Sequence, residues 1–471
     1  MNNQSLDMEF SEEGINALRY RLPKDADLPA IIREIVTNAP VNRKIPAFIA
    51  SLSPLCALCP RVRLQYCYDS RPSALLLQVL IEGEQSCGKS FAADIENLIM
   101  SKTLKERDKN MRRMEQEYRE KRKRRKANEK LDEEPQTTIC VVPPTISKTV
   151  LTKRADMFDR VLGDTLTFWM FAEELAQVTD AGKQGYSNLR TIMRNAYDLG
   201  SLFGIDFASD NSYSAIVDIN ICSMFCATPA AIDEYFDKKS IEGGNITRTI
   251  ICQIGESLGE DGAIFKPYSE EQKQLIDRML QVLMGHTFDG DGELQPILLL
   301  DMSWIDNLVR NWCRKKGKEA TLEGSKAMDV FRKRSSSSAF RVASLCYYLY
   351  MLEKKLPEKV VHKRVSQIYI FMAEFIFQNM LNRWGKQYDE LHFQRRKDQK
   401  KGPRQNLFGS MTDTFTREQL SLMIERQGKA TPARQFISNW KKLKVIELID
   451  SNTFRKLSTT TRKAPKKGGQ S

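Results

Sequence analysis

Ala74-Leu-Leu-Leu-Gln-Val-Leu-Ile-Glu82 runs without a break into Gly83-Glu84-Gln85-Ser86-Cys87-Gly88-Lys89-Ser90. The first stretch is an apolar run of strand length. The second is a complete Gly-x-x-x-x-Gly-Lys-Ser pattern. Phe91-Ala-Ala-Asp-Ile-Glu-Asn-Leu-Ile-Met100 follows with the spacing of an amphipathic helix. A strand, a glycine-bounded loop and a helix in that order make a cradle for a polyphosphate. The glycines let the backbone wrap it, while the loop amides and the helix N-terminus point at it. Lys89 is then placed to meet the β- and γ-phosphates and Ser90 to ligate Mg²⁺. The residues expected to line the nucleotide are Gly83, Glu84, Gln85, Ser86, Cys87, Gly88, Lys89, Ser90 and Phe91, and the expected ligand is ATP with Mg²⁺.

The rest of the composition is compatible with that reading. The chain has 471 residues, 41% hydrophobic and 28% charged, enough for two to four domains. No run approaches the roughly 20 apolar residues of a membrane span, since 368–377 is short and carries Glu374. The first residues lack the basic-then-apolar pattern of a signal peptide, so a cytoplasmic protein without membrane partners is expected. Ten cysteines are scattered, several within apolar runs, as reduced core thiols are. Cys56-Ala-Leu-Cys59, with Cys67 after it, invites a zinc site. Its fourth ligand is missing nearby, because His286, His362 and His392 lie far downstream, and a buried helix accounts for the run better. The net charge of +13 favours a polyanionic partner, although basic runs can also be solvated faces; DNA in single-stranded or forked form is expected only once the motifs below are added.

The expected organisation is an α/β chain. A helical region covers 1–68, with 46–55 a packed connector, and a nucleotide domain with a mostly parallel sheet covers 69–267. A charged helical insertion interrupts it at about 104–134. There Asp108/Arg112, Glu115/Arg119, Glu117/Lys121 and Glu120/Arg124 pair at i,i+4 on an exposed arm. The basic run Lys121-Arg-Lys-Arg-Arg-Lys126 either contacts nucleic acid or is simply solvated. Strands are expected at 137–142, within 161–175, at 216–229 and at 247–254. Helices are expected at 146–156, 188–197 and 230–236. A helical region (268–394), opened by a Ser269-Glu-Glu-Gln272 capping box, comes next. A basic linker (395–412) leads to a winged-helix-like domain (413–458) and a basic tail (459–471). In the winged-helix-like part a second capping box, Thr416-Arg-Glu-Gln419, opens one helix. Thr431-Pro432 begins the next, and a hairpin turning at Ser451-Asn452 closes the domain.

A phosphate loop needs carboxylates at the end of a neighbouring strand. Leu166-Thr-Phe-Trp-Met-Phe-Ala-Glu173-Glu174 supplies two: Glu173 for Mg²⁺ and Glu174 for the attacking water. Acidic residues also begin helices for electrostatic reasons. Thr228, closing the third strand, either orients that water and senses the γ-phosphate or is a plain turn residue. Arg248, after Gly243-Gly244, either reaches a neighbouring subunit's nucleotide or is an ordinary surface arginine.

Taken together, Gly83–Ser90, Glu173-Glu174, Thr228-Pro229 and the Gly-Gly-x-x-x-Arg248 segment resemble the helicase-like P-loop proteins of unknown function carried by bacterial phages, plasmids and integrative elements. The resemblance covers about residues 45–380. In motif order it is similar to superfamily-three and other hexameric replicative helicases. It implies a P-loop NTPase core, RecA-like or AAA+-like, in a homo-oligomer such as a hexamer, serving replication of a mobile element. No primase or zinc-ribbon domain stands upstream, so priming would fall to a separate primase or be irrelevant. The competing expectations are an ATP-switched DNA-binding or initiator protein, and a regulatory or defence ATPase with a protein partner.

Overall fold

The computed structural model describes residues 22–125, 133–183, 189–206, 213–237, 240–241, 244–255, 264–290, 292–394, 407–427, 429 and 431–457. Much of the linker expected at 395–412, the tail 459–471, the tip of the charged arm and Gly243 lie outside these residues. The contacts gather the chain into two units. One comprises the residues up to Arg310 together with Arg334–Met380, and the other Asn311–Lys333 with the chain from Leu381 onward.

In the first unit, helices α1 (Ala30–Thr37) and α2 (Lys44–Ala57) precede strands β1 (Val62–Leu64), β2 (Ser73–Ala74) and β3 (Gln78–Glu82). Then come α3 (Phe91–Met100), α4 (Leu104–Arg124), α5 (Lys148–Leu162), β4 (Thr167–Ala172), α6 (Leu175–Lys183) and α7 (Leu189–Asn195). A hairpin of β5 (Leu202–Ile205) and β6 (Ala215–Asp218) leads into β7 (Asn220–Ala227), α8 (Pro229–Tyr235) and β8 (Thr249–Gln253). Helix α9 (Glu270–Gly285) and β9 (Leu298–Leu300) follow. Of the long helices, α10 (Asp306–Glu323) and α11 (Lys326–Glu353) are each divided between the two units, at Arg310 and at Arg334, whereas α12 (Glu358–Met380) belongs to this unit.

The central sheet has the order β4-β7-β3-β8 and is parallel throughout. Strand β3 is buried along its whole length, as the unbroken apolar run requires of a strand covered on both faces. One cover is α2. The segment 46–55, expected as a connector, is helix, and all of α2 beyond Lys44 is buried. Ser53 Oγ donates to the carbonyls of Leu77 (2.8 Å) and Ser223 (2.9 Å), tying the helix to two strands. Cys56 and Cys59 are buried here, with burial pushing both thiols well above the usual range. Near the amino edge of the sheet, buried Arg341 donates to the carbonyls of Leu76 (2.9 Å) and Tyr197 (2.8 Å) and to Asp198 (3.1 Å).

Three further expectations change in the first unit. The strand at 137–142 reaches the sheet only as a single parallel bridge, Val141 to Trp169. Asp108 takes the amides of Cys140 (2.8 Å) and Val141 (2.6 Å), and Pro143-Pro144 ends the run. Asp108 therefore does not pair with Arg112 on the surface of the arm. It is 1% exposed, and burial pushes its carboxyl up to about 6 against the pull of Val141, Arg107 and Cys140. The arm is otherwise an exposed helix, α4, carrying the Glu115–Arg119 pair (3.1 Å) as expected. Finally, the run 216–229 divides at Ile219. Its first part pairs antiparallel with β5, and only β7 enters the main sheet.

The second unit contains a π-helical turn (Leu381–Gly385), α13 (Lys386–Gln394), α14 (Leu407–Ser410), β10 (Thr414–Thr416), α15 (Arg417–Arg426), α16 (Ala433–Lys442), β11 (Ile446–Leu448) and β12 (Thr453–Lys456). The three strands form an antiparallel sheet in the order β10-β12-β11. Phe436, Ile437 and Trp440 of α16 pack with Phe415, Leu420 and Phe454 into one core, which Leu407 and Met411 complete. The Thr416 capping box is formed, and so is the one at Ser269. Thr431 does not cap α16; Pro432 occupies that position, without a side-chain bond. Among the described residues no helix is long and apolar enough to cross a membrane.

Candidate functional site

In a parallel sheet the strands deliver their carboxyl ends to one edge, and ligands bind there. Glu82 pairs with Ala227 on one side and Gln253 on the other, and Ala172 pairs with Phe225. Gly83, Glu173-Glu174 and Thr228 therefore leave the sheet at the same edge. Gly83 N donates to Ala227 O (3.0 Å), fixing the start of the loop beside Thr228. Strand β7 stands between β3 and β4, so the two glutamates lie about 10 Å from the start of the loop. That gap separates the glycine-bounded loop from the carboxylate pair.

The loop needs its glycines. A Cβ on Gly83 would stand 2.4 Å from Cys87 Sγ, and Gly88 adopts φ +78. Ser86 also takes a left-handed conformation, φ 60. Glu84, Gln85, Ser86 and Ser90 are exposed, whereas Cys87 and Phe91 are buried, Phe91 stacked on Phe265 at 5.0 Å. Lys89 Nζ donates to the carbonyls of Gly83 (2.8 Å) and Glu84 (2.6 Å), curling over the loop. Its other contact is weak, Cys87 Sγ at 3.8 Å, so the ammonium can exchange these partners for phosphate oxygens at small cost. The residues thus fit a nucleotide with Mg²⁺, Ser90 presenting an exposed hydroxyl at the start of α3. Among the described residues no group of three or more His, Cys, Asp or Glu is set to hold a metal by itself.

Glu173 and Glu174 are exposed, and Glu174 immediately precedes α6, its carbonyl accepting from Gln177 N (3.2 Å). Burial pushes the Cys226 thiol up to about 12, while Lys89 lowers it and Glu173 and Cys87 raise it. Thr228 caps α8, its Oγ1 accepting from Ala231 N (3.4 Å), which leaves its hydroxyl proton free to donate. Arg248 is not brought to this edge. It precedes β8, whose first residue pairs with Gln78, and so lies about 15 Å away at the amino edge. There it donates to Gly244 O (3.2 Å) and stands 3.6 Å from Asp198.

Two buried charges escaped the sequence reading. Arg43, in the turn before α2, is 4% exposed and donates to Cys87 O (3.1 Å) at the tip of the loop. Glu96 of α3 is 2% exposed, accepting from Trp169 Nε1 (2.9 Å) and pairing with Lys105 (2.6 Å). It joins the helix behind the loop to the carboxylate strand and to the arm. No local pattern marks either residue, because both partners are distant in sequence or hidden by the fold. Glu96→Ala leaves the indole N–H without its acceptor and is expected to cost about 1–3 kcal/mol in denaturant unfolding. Glu96→Gln, which keeps an acceptor for Trp169, should cost clearly less.

No family model and no curated protein sequence matches the chain.

Proposed function

We propose that the chain is an ATP-dependent DNA helicase or translocase, acting as an oligomer, in the replication of a bacterial mobile element. The observation that carries the ATPase part is the loop Gly83–Ser90 opening at the same sheet edge as Glu173-Glu174 and Thr228. On this reading the architecture is a P-loop NTPase core with a C-terminal winged helix. Loop amides and Lys89 hold the β- and γ-phosphates, while Ser90 and Glu173 serve Mg²⁺. When bound, Mg²⁺ neutralises charge developing on the phosphoryl oxygens. Glu174 accepts a proton from the water that attacks the γ-phosphorus as the bond to the β-phosphate oxygen breaks. Thr228 donates to that water or to the γ-phosphate. Arg248 would act only across a subunit interface, after release from Asp198.

The DNA part rests on the resemblance and on the excess of basic residues. A second reading, an ATP-switched DNA-binding or initiator protein, is favoured by the second unit. There α16 packs Phe436, Ile437 and Trp440 inward and leaves Arg434, Lys441 and Lys442 exposed. ATP hydrolysis measured with and without single-stranded DNA, beside a fork-unwinding assay, separates the two. The helicase reading expects DNA-stimulated turnover with unwinding. Slow, unstimulated turnover with DNA binding would replace it with the switch, and absence of hydrolysis would remove both.

A further inference from the structure

Helices α4 and α5, with Glu134, Pro135 and Thr137 between them, line an open groove of about 290 Å³ on the arm side of the first unit. Four cations line it (Arg119, Arg122, Lys153 and Arg154) against two carboxylates, Glu115 and Glu134. Both carboxylates are already engaged. Arg154 holds Glu115 through both oxygens (3.1 Å each), Arg119 and Thr137 add to the same carboxylate, and Lys153 holds Glu134 (2.7 Å). Cationic charge remains in excess beside the exposed run that ends α4, where Lys121, Arg122, Lys123 and Arg124 all face solvent. Cations in the last turn of α4 complement its dipole, but Lys153 and Arg154 sit in the amino-terminal half of α5, where the dipole offers no reason for them. Half-buried Tyr118 supplies an aromatic wall, with Met157 and Val150 beside it.

We propose that this groove binds single-stranded nucleic acid, Arg122 and Lys153 meeting phosphodiester oxygens and Tyr118 stacking against a base. A cationic track with an aromatic platform is the chemistry that binds strands without reading sequence. This deepens the proposed function, since it rests on nucleic acid being a partner, but it is read without ATP. The helix behind the phosphate loop meets the base of the arm through Glu96 and Lys105, so strand binding at the groove has a short route to the loop.

The test is anisotropy of a labelled oligothymidylate with the full chain, without nucleotide, at several salt concentrations. Arg122→Gln with Lys153→Gln should weaken binding about tenfold and lower the log–log salt slope by about 1.4, two contacts at about 0.7 each on a single strand. Tyr118→Leu should cost about tenfold with the slope unchanged. Glu134→Gln should tighten binding, an effect that misfolding cannot mimic. ATP turnover without DNA should stay at the parental rate in all of these, so failure of the ATPase reading is seen separately. Unchanged affinity and slope in the double variant would overturn the proposal. So would equal weakening only in Lys441→Ala with Lys442→Ala, or displacement of the strand by a mononucleotide at matched concentration.

Discussion

Lys89→Ala is expected to lower ATP turnover by about a hundredfold to a thousandfold or more, leaving the fold intact. The size follows from removing a cation aimed at charge that grows in the transition state, where one lost donor is worth about 10²–10³ in rate. The sparing of the fold follows from its present partners. Lys89 donates to the Gly83 and Glu84 carbonyls of an open loop and, at 3.8 Å, to Cys87 Sγ; the two carbonyls can turn to water when it is gone, and the weak thiol contact is a small loss. Phosphate release measures the first effect and the denaturant midpoint the second. Turnover at the parental rate would remove the ATPase reading altogether. A collapsed midpoint would instead make Lys89 a structural residue of the loop. A charge-retaining Lys89→Arg should still fail in turnover, because a planar guanidinium does not fit a cradle shaped for a point charge.

The strand, glycine-bounded loop and helix from Gln78 to Met100 were legible because their signals are local. An apolar run, two glycines at fixed spacing and a helix pattern lie within one continuous stretch, and each is written in residues next to one another. The same holds for the capping boxes at Ser269 and Thr416, where side chain and backbone amide are three residues apart. What the sequence did not disclose depends on partners far along the chain. The insertion of β7 between β3 and β4 sets the gap between loop and carboxylates, and nothing in the strands' composition states it. Asp108 reads as one more arm acid until the amides of Cys140 and Val141 fold onto it. Arg43 sits in an unremarkable turn, yet it holds the tip of the loop. Arg248 sits in the turn just before β8, and a parallel sheet puts strand starts at the edge away from the glycine loop. A residue there can serve catalysis only through another subunit.

Glu174→Gln is expected to leave Mg²⁺-ATP binding near its parental level and to lower turnover by about 10²–10⁴, the usual worth of a positioned general base. The amide keeps the shape of the side chain and its place before α6, so the start of that helix is undisturbed. It cannot take the proton of the attacking water. Glu173→Gln should behave differently. Its carboxylate leaves the sheet at the same edge as the loop and is the one assigned to the metal, so its loss should weaken the Mg²⁺ dependence of turnover more than nucleotide binding. Titrating Mg²⁺ at saturating ATP separates the two variants: Glu174→Gln should saturate normally at a low rate, and Glu173→Gln should need more metal. If Glu173→Gln is the slower enzyme while its Mg²⁺ titration is parental, the roles of the pair are exchanged. If both variants turn over at the parental rate, the two acids are helix-starting residues. The strand end would then have no part in the chemistry, and the water-activating group would have to be sought elsewhere along the carboxyl edge.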